Sequence, residues 1–239
     1  TRHLLDDRRI AERGNGDAGS GDQIFNGAAD NATGAAGLLE LANAFSRSGD
    51  RPRRSILWLA VTAEEQGLLG SRYYGDNPLY PAAKTVAAIN MDVLNTWGRT
   101  RDLTVVGMGQ SELDHVATEV ATQQGRVLNP DPEPEKGFYY RSDHFSFAKV
   151  GIPAFYADPG VEYIGKLEGY GIEKREQYTA NDYHAVTDEV KPDWDLSGAL
   201  DDLTFMYYMG ADLAASDDWP AWSETSEFRA IREEQRPGT

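Results

Sequence analysis

Residues 55–71 read SILWLAVTAEEQGLLGS, and how this stretch is read decides the fold. Ile56–Val61 is a continuous apolar run of strand length, the pattern of a strand covered by helices on both faces. Two adjacent glutamates, Glu64 and Glu65, follow almost at once. Neighbours on a strand point to opposite faces, so both can serve one site only if the strand ends first and a turn brings both carboxylates round. The plainer alternative is a charged loop rim, the commoner fate of a Glu-Glu pair.

Similar runs recur on the C-terminal side. Val86–Met91 (VAAINM), Leu103–Gly107 (LTVVG) and Ile152–Tyr156 (IPAFY) read as further buried strands. Between and around them lie helical patterns. Leu38, Leu41, Ala42 and Phe45 fall at helical spacing within Thr33–Phe45, a helix begins at Leu68–Tyr74, Ser111–Gln124 is amphipathic, and Leu196–Ala214 is a long C-terminal helix. Strands alternating with helices define an α/β class with a mixed, mostly parallel sheet sandwiched between helices. There is no internal repeat. Residues 1–24 are polar and loop-like, 216–239 read as a surface tail, and the whole of 1–239 reads as one domain. An open parallel sheet usually begins with a strand, yet a polar stretch comes first here. The chain is therefore expected to lack N-terminal strands that another segment of the natural protein supplies.

Composition narrows the function. With 40% hydrophobic and 10% aromatic residues the chain has the balance of a folded protein rather than a disordered one. Its 23 Lys and Arg against 39 Asp and Glu give a net charge of −16, which repels phosphate backbones and argues against a nucleic-acid partner. No apolar run approaches the roughly 18 residues of a membrane span. No signal peptide stands at the start of this chain. Cysteine is absent, which removes thiol catalysis, disulfides and thiolate-bound zinc. Any metal must be held by carboxylates and by the four histidines, His3, His115, His144 and His184.

In parallel sheets ligands collect outside the carboxyl ends of the strands, and acidic residues gather there. Glu64 and Glu65 follow one strand, Asp92 ends another (NMDVLN), and Asp30 stands before a helix in NGAADNATG. Each has a plainer reading: Asp30 as a helix N-cap, Asp92 as a turn former, His184 as a surface histidine. Together they meet the needs of a two-metal hydrolytic site: a bridging carboxylate, further His and carboxylate ligands, and a carboxylate left free to take a proton from water. Asp30, Glu65, Asp92, His184 and one more histidine fill the ligand set, and Glu64 is left as the base. Hard oxygen and imidazole donors suit zinc, manganese or cobalt.

Five stretches in order, GAADNATGAAGLLELA, AVTAEEQGLLGSRYY, INMD, YRSDHFSF and YHAVTDEV, resemble the di-zinc aminopeptidase family, the leucyl-aminopeptidase-like and glutamate-carboxypeptidase-like exopeptidases. The likeness runs from about Phe25 to Leu213. It implies a metal-dependent exopeptidase, most simply an aminopeptidase, with a peptide substrate and a secreted or periplasmic location. It assigns Asp30 as the bridging ligand with a cis peptide after it, Glu64 as acid–base, Glu65 and His184 on one zinc, and Asp92 with an early histidine on the other. The family's His-x-Asp pattern is met only by TRHLLDD. His3 can stand for the ligand, but Leu5 occupies the aspartate's place, so two zinc ions are expected, or one if the His3 site is defective.

The resemblance also implies that Tyr183 polarises the scissile carbonyl, that Arg141, Ser142, Asp143 and His144 line the substrate pocket, and that Asp188 accepts the second N–H of His184. On the residues alone, Tyr183 is equally a core tyrosine, Asp143–His144 a buried structural pair, and Asp188 a loop acid. Tyr139, Tyr140 and Phe145 are pocket walls or core, and His115 is surface. Two other classes fit the same motifs: a single-zinc acyltransferase like the glutaminyl cyclases, and a non-catalytic receptor-type domain.

Overall fold

The structure is a computed structural model that describes residues 21–236 apart from Gln23 and Asp50. His3 and the loop expected over most of 1–24 lie outside the described residues. Four strands form one sheet in the order β1-β4-β2-β3: β1 (Ala88–Asn90), β2 (Asp102–Val105), β3 (Val127–Pro130) and β4 (Ala154–Pro159). β1 is parallel to β4 and β2 to β3, while β2 and β4 meet antiparallel. The mixed, mostly parallel sheet read from the sequence is what forms.

Helices cover both faces. Alternation along the strands sends Leu103, Val105, Phe155 and Ala157 to one face. There they meet Leu113, Ala117 and Val120 of α3 (Leu113–Gln123) and Phe205, Met206 and Met209 of α6 (Ser197–Ala215) in the main core. α1 (Gly34–Arg47) packs on α6 through Leu41 and Leu203. On the other face α4 (His144–Lys149) lies against β4, with α2 (Leu69–Asp76) packed on it. α5 (Tyr170–Asn181), a charged helix with little buried surface, was not foreseen.

Two sequence readings need correction. The segment 216–239 is no mere surface tail. Trp222 and Phe228 are 3% and 4% exposed and pack with Ala148, and the Trp222 indole N–H donates to Gly151 O at 3.0 Å. A last helix, α7 (Arg229–Gln235), anchors the end through Arg232, whose guanidinium donates to Ala82 O and Thr85 O. Polar flanks hid these apolar anchors. The second correction concerns Ile56–Val61, which pairs with no strand among the described residues. Beside it lies a cavity of about 590 Å³, bordered on its far side by Val86–Met91.

Candidate metal centre

The adjacent-glutamate question is answered by the turn that follows Val61. Ala63 takes a left-handed conformation with φ 57°, which ends the alternation before the pair is reached. Glu64 O then accepts from both Gly67 N and Leu68 N, and Leu68 is itself left-handed at φ 59°. Both carboxylates are thus carried on one tight turn at the entrance to α2. Gly70 is required here, because a Cβ on it would collide with the Thr62 backbone.

The second contribution is the turn Ala28–Thr33, in which the Asp30–Asn31 peptide is cis, as the resemblance implied. Asp188 clamps this turn from the far end of the chain. Its Oδ1 accepts Ala29 N–H at 2.9 Å, its Oδ2 accepts Asp30 N–H at 3.0 Å, and its own carbonyl accepts Ala28 N–H at 3.0 Å. The Tyr178 hydroxyl reaches the same carboxylate at 3.4 Å. Asp188 therefore orients the Asp30 turn, and the expectation that it serves the second N–H of His184 is corrected.

His184, left-handed at φ 56°, closes the site. Its Nε2 lies 3.0 Å from Glu65 Oε1 and 3.4 Å from Asp30 Oδ2. One ligand atom from each of Asp30, Glu65 and His184 falls within 4.8 Å of the others. Tetrahedral ligands held about 2.0–2.1 Å from a zinc ion stand about 3.3 Å apart, so this donor set and its spacing fit such an ion. Burial would lower the His184 pKa, but the Asp30 and Glu65 carboxylates outweigh it and raise it to about 10. A metal must displace that proton, so its affinity weakens as pH falls. Among the described residues the three non-glycine residues at positive φ, Ala63, Leu68 and His184, all adjoin this cluster. Strain of about 1–3 kcal/mol each persists where the surroundings over-determine it, commonly at functional sites.

Asp92 approaches from the end of β1. Asn31 joins it to the Asp30 turn, with Oδ1 accepting Gly34 N–H at 2.9 Å and Nδ2 donating to Met91 O at 3.4 Å. A Cβ on Gly34 would strike both Asn31 Oδ1 and Asp92 O, so the close approach depends on glycine. Ser142 Oγ donates to Asp92 Oδ2 at 2.8 Å and accepts from Asn90 Nδ2 at 2.8 Å. Asn31, Asn90 and Tyr178 were missed in the sequence, since nothing local marks a contact made 10 to 60 residues away.

Tyr183 is 45% exposed and stacks on the His184 ring at 3.7 Å. Burial of its hydroxyl and the charges of Asp30, Glu65, Glu64 and Asp92 push its pKa up, so it stays a hydrogen-bond donor. Of the stretch Arg141–His144, Ser142, Asp143 and His144 are 5%, 7% and 1% exposed, whereas Arg141 lies at the surface. His144 is walled by Tyr139 and Tyr156 at 4.8 and 5.0 Å. His115 is exposed, as expected.

Burial depresses the His144 pKa from 6.5 to about 3. Between those values the unfolded chain holds a proton that the native one does not, so stability falls as pH drops below 6.5. In metal-free protein we expect a loss of up to about 1.4 kcal/mol per pH unit from this residue, absent in His144→Leu. Urea midpoints of the two proteins between pH 7 and 4.5 check it: parallel pH profiles would refute the assignment.

The profile described as peptidase family M28 matches residues 6–208, and the chain belongs to that family. Leupeptin-inactivating enzyme 1 of Streptomyces exfoliatus is 31% identical over 145 residues, 59% of this chain and 32% of that protein. Among solved structures, the Legionella pneumophila LapA aminopeptidase superposes with a TM-score of 0.61 at 17% identity, covering 82% of this chain and 49% of its own. The aminopeptidase from Aneurinibacillus sp. strain AM-1 gives a TM-score of 0.55 at 21% identity, covering 79% of this chain and 40% of its own. The chain thus spans half or less of the length of these relatives, and the fold is shared.

Proposed function

We propose that the chain is the catalytic part of a zinc-dependent aminopeptidase. The observation that carries this reading is the meeting of Asp30, Glu65 and His184, with Glu64 beside them on the same turn. Asp30, Glu65 and His184 would hold one zinc ion, and Asp92 would be among the ligands of another. When bound, zinc polarises the scissile carbonyl and makes water acidic enough to attack it. Glu64 accepts the proton of the attacking water and returns it to the leaving amine. Tyr183, held protonated, donates a hydrogen bond to the oxygen that gains charge as the carbonyl is attacked. Carboxylates at the rim bind the substrate's α-ammonium, which makes the enzyme an exopeptidase.

The test is hydrolysis of leucine p-nitroanilide by chelator-treated protein, with and without added zinc, against the same substrate with its amine acetylated. Activity should vanish with chelation, return with zinc, and never extend to the acetylated compound. Cleavage of the blocked substrate would refute aminopeptidase action.

Metal number is a separate expectation. The Asp92 ion has fewer assigned donors than the Glu65–His184 ion, since Leu5 replaces the aspartate that usually supports the early histidine. Elemental analysis after dialysis should find about one tightly held zinc per chain, with a second entering only at higher concentration. Two tightly held ions would overturn this ranking.

A further inference from the structure

Behind the metal centre lies a second, smaller cleft of about 220 Å³, bordered by α5, by Thr96 and Trp97, and by the segment Lys191–Trp194. Ala29 and Asp188, which carry and clamp the Asp30 turn, form part of its wall. None of Asp30, Glu64, Glu65, Asp92 and His184 lines it. Pockets for drug-sized molecules run to about 300–1,000 Å³, so this one suits a ligand no larger than an amino acid.

Some of the charges around the cleft are already answered by the protein. The Lys191 ammonium donates to Asp182 Oδ1 at 2.9 Å and to Thr187 O at 2.7 Å. Asp188 accepts two backbone N–H groups and the Tyr178 hydroxyl. Lys174 and Asp193 are different. The Lys174 ammonium has the Tyr170 ring 5.9 Å away, and neither it nor the Asp193 carboxylate makes a hydrogen bond or ion pair among the described residues. One stands on α5 and the other on the Lys191–Trp194 segment, so an unanswered cation and an unanswered anion border the same small space. Thr96 is a third open group. It is 3% exposed, and its hydroxyl has no hydrogen bond among the described residues. A buried hydroxyl costs free energy unless something pairs with it. Trp97, Tyr178 and Trp194 supply aromatic walls, with Trp97 edge-on to Tyr178 at 6.1 Å.

We propose that this cleft binds a free α-amino acid as its zwitterion. Lys174 pairs with the carboxylate, and Asp193 pairs with the ammonium, which an indole face also attracts. The Thr96 hydroxyl donates to the carboxylate, and an apolar side chain fills the space between the aromatic walls. A simple anion would leave Asp193 unanswered and a simple cation would leave Lys174 so. A small molecule carrying both charges answers both. The ligand class follows from this complementarity alone; that the amino acid is one the chain itself releases rests on the aminopeptidase reading.

Calorimetric titration with L-leucine, on zinc-loaded and on chelator-treated protein, tests it. Leucinamide, which lacks the carboxylate, and isocaproate, which lacks the ammonium, serve as controls. Leucine should bind with or without zinc, and each control should bind about tenfold or more weakly, the size of one charge-assisted hydrogen bond. Lys174→Ala should bind leucine no better than leucinamide, and Asp193→Asn no better than isocaproate. Absence of leucine binding would overturn the proposal. Binding that disappears with the zinc, or that neither variant weakens, would overturn it as well by assigning the ligand to the metal centre. The two readings fail separately. Normal peptide hydrolysis without this binding removes the cleft site alone, whereas leucine binding of the expected pattern in a protein that cleaves no peptide removes the aminopeptidase reading alone.

Discussion

Glu64→Gln is expected to keep its zinc and its affinity for peptide while kcat falls by roughly 10²–10⁴, the usual share of general acid–base catalysis. Glutamine preserves the size of the side chain and much of its hydrogen bonding but cannot accept a proton. Glu65→Gln should fail in another way. Glu65 Oε1 lies 3.0 Å from His184 Nε2 inside the ligand cluster, so the substitution removes an anionic donor and the metal is lost or weakened. Added zinc should then restore part of the activity of Glu65→Gln and none of that of Glu64→Gln. The two residues are chemically identical neighbours, so any difference between the variants reports their placement on the turn. Zinc titrations and peptide-hydrolysis kinetics on the pair decide it. If Glu64→Gln sheds its metal and Glu65→Gln retains it, the roles are exchanged; if neither matters, the pair is a loop rim.

The placement of both glutamates on one turn was legible because the signal was local. An apolar run followed by two acids and a glycine marks where an extended segment ends and the chain turns. Leu113, Ala117 and Val120 were equally legible, as helical spacing alone marks them for burial, and the core contains them. Where contacts cross the chain, spacing carried no direction. Ser142 and Asp92 are brought together only by the packing of α4 beside β1, so the bond between them could not be read in advance. β3 was missed because VLNP is short, half exposed and ends in proline, none of which marks a strand. Ile56–Val61 carried a correct strand pattern and still forms no ladder, because the pattern names what a segment can do and not whether its partner is present.

Asp188→Ala is the second large effect, and it separates two readings of one residue. From the sequence, Asp188 would steady His184 four residues away. In the structure its two oxygens instead take the N–H groups of Ala29 and Asp30, which are 4% and 8% exposed. Removing the carboxylate leaves two buried donors without acceptors, at about 1–3 kcal/mol each. It also frees the turn that aims Asp30 at the metal, and outer partners of this kind are commonly worth 10–100-fold in metal affinity. Asp188→Ala should therefore lower the stability of the metal-free protein by about 2–6 kcal/mol and weaken zinc by about 10–100-fold. The stability loss needs no imidazole, so it should persist at full size when His184→Ala is made first. A double-mutant cycle in metal-free protein measures this directly. If the loss disappears in the His184→Ala background, Asp188 acts through His184 after all. Persistence there assigns Asp188 to the backbone of the Asp30 turn, which sets the direction of a ligand it never touches through that ligand's side chain.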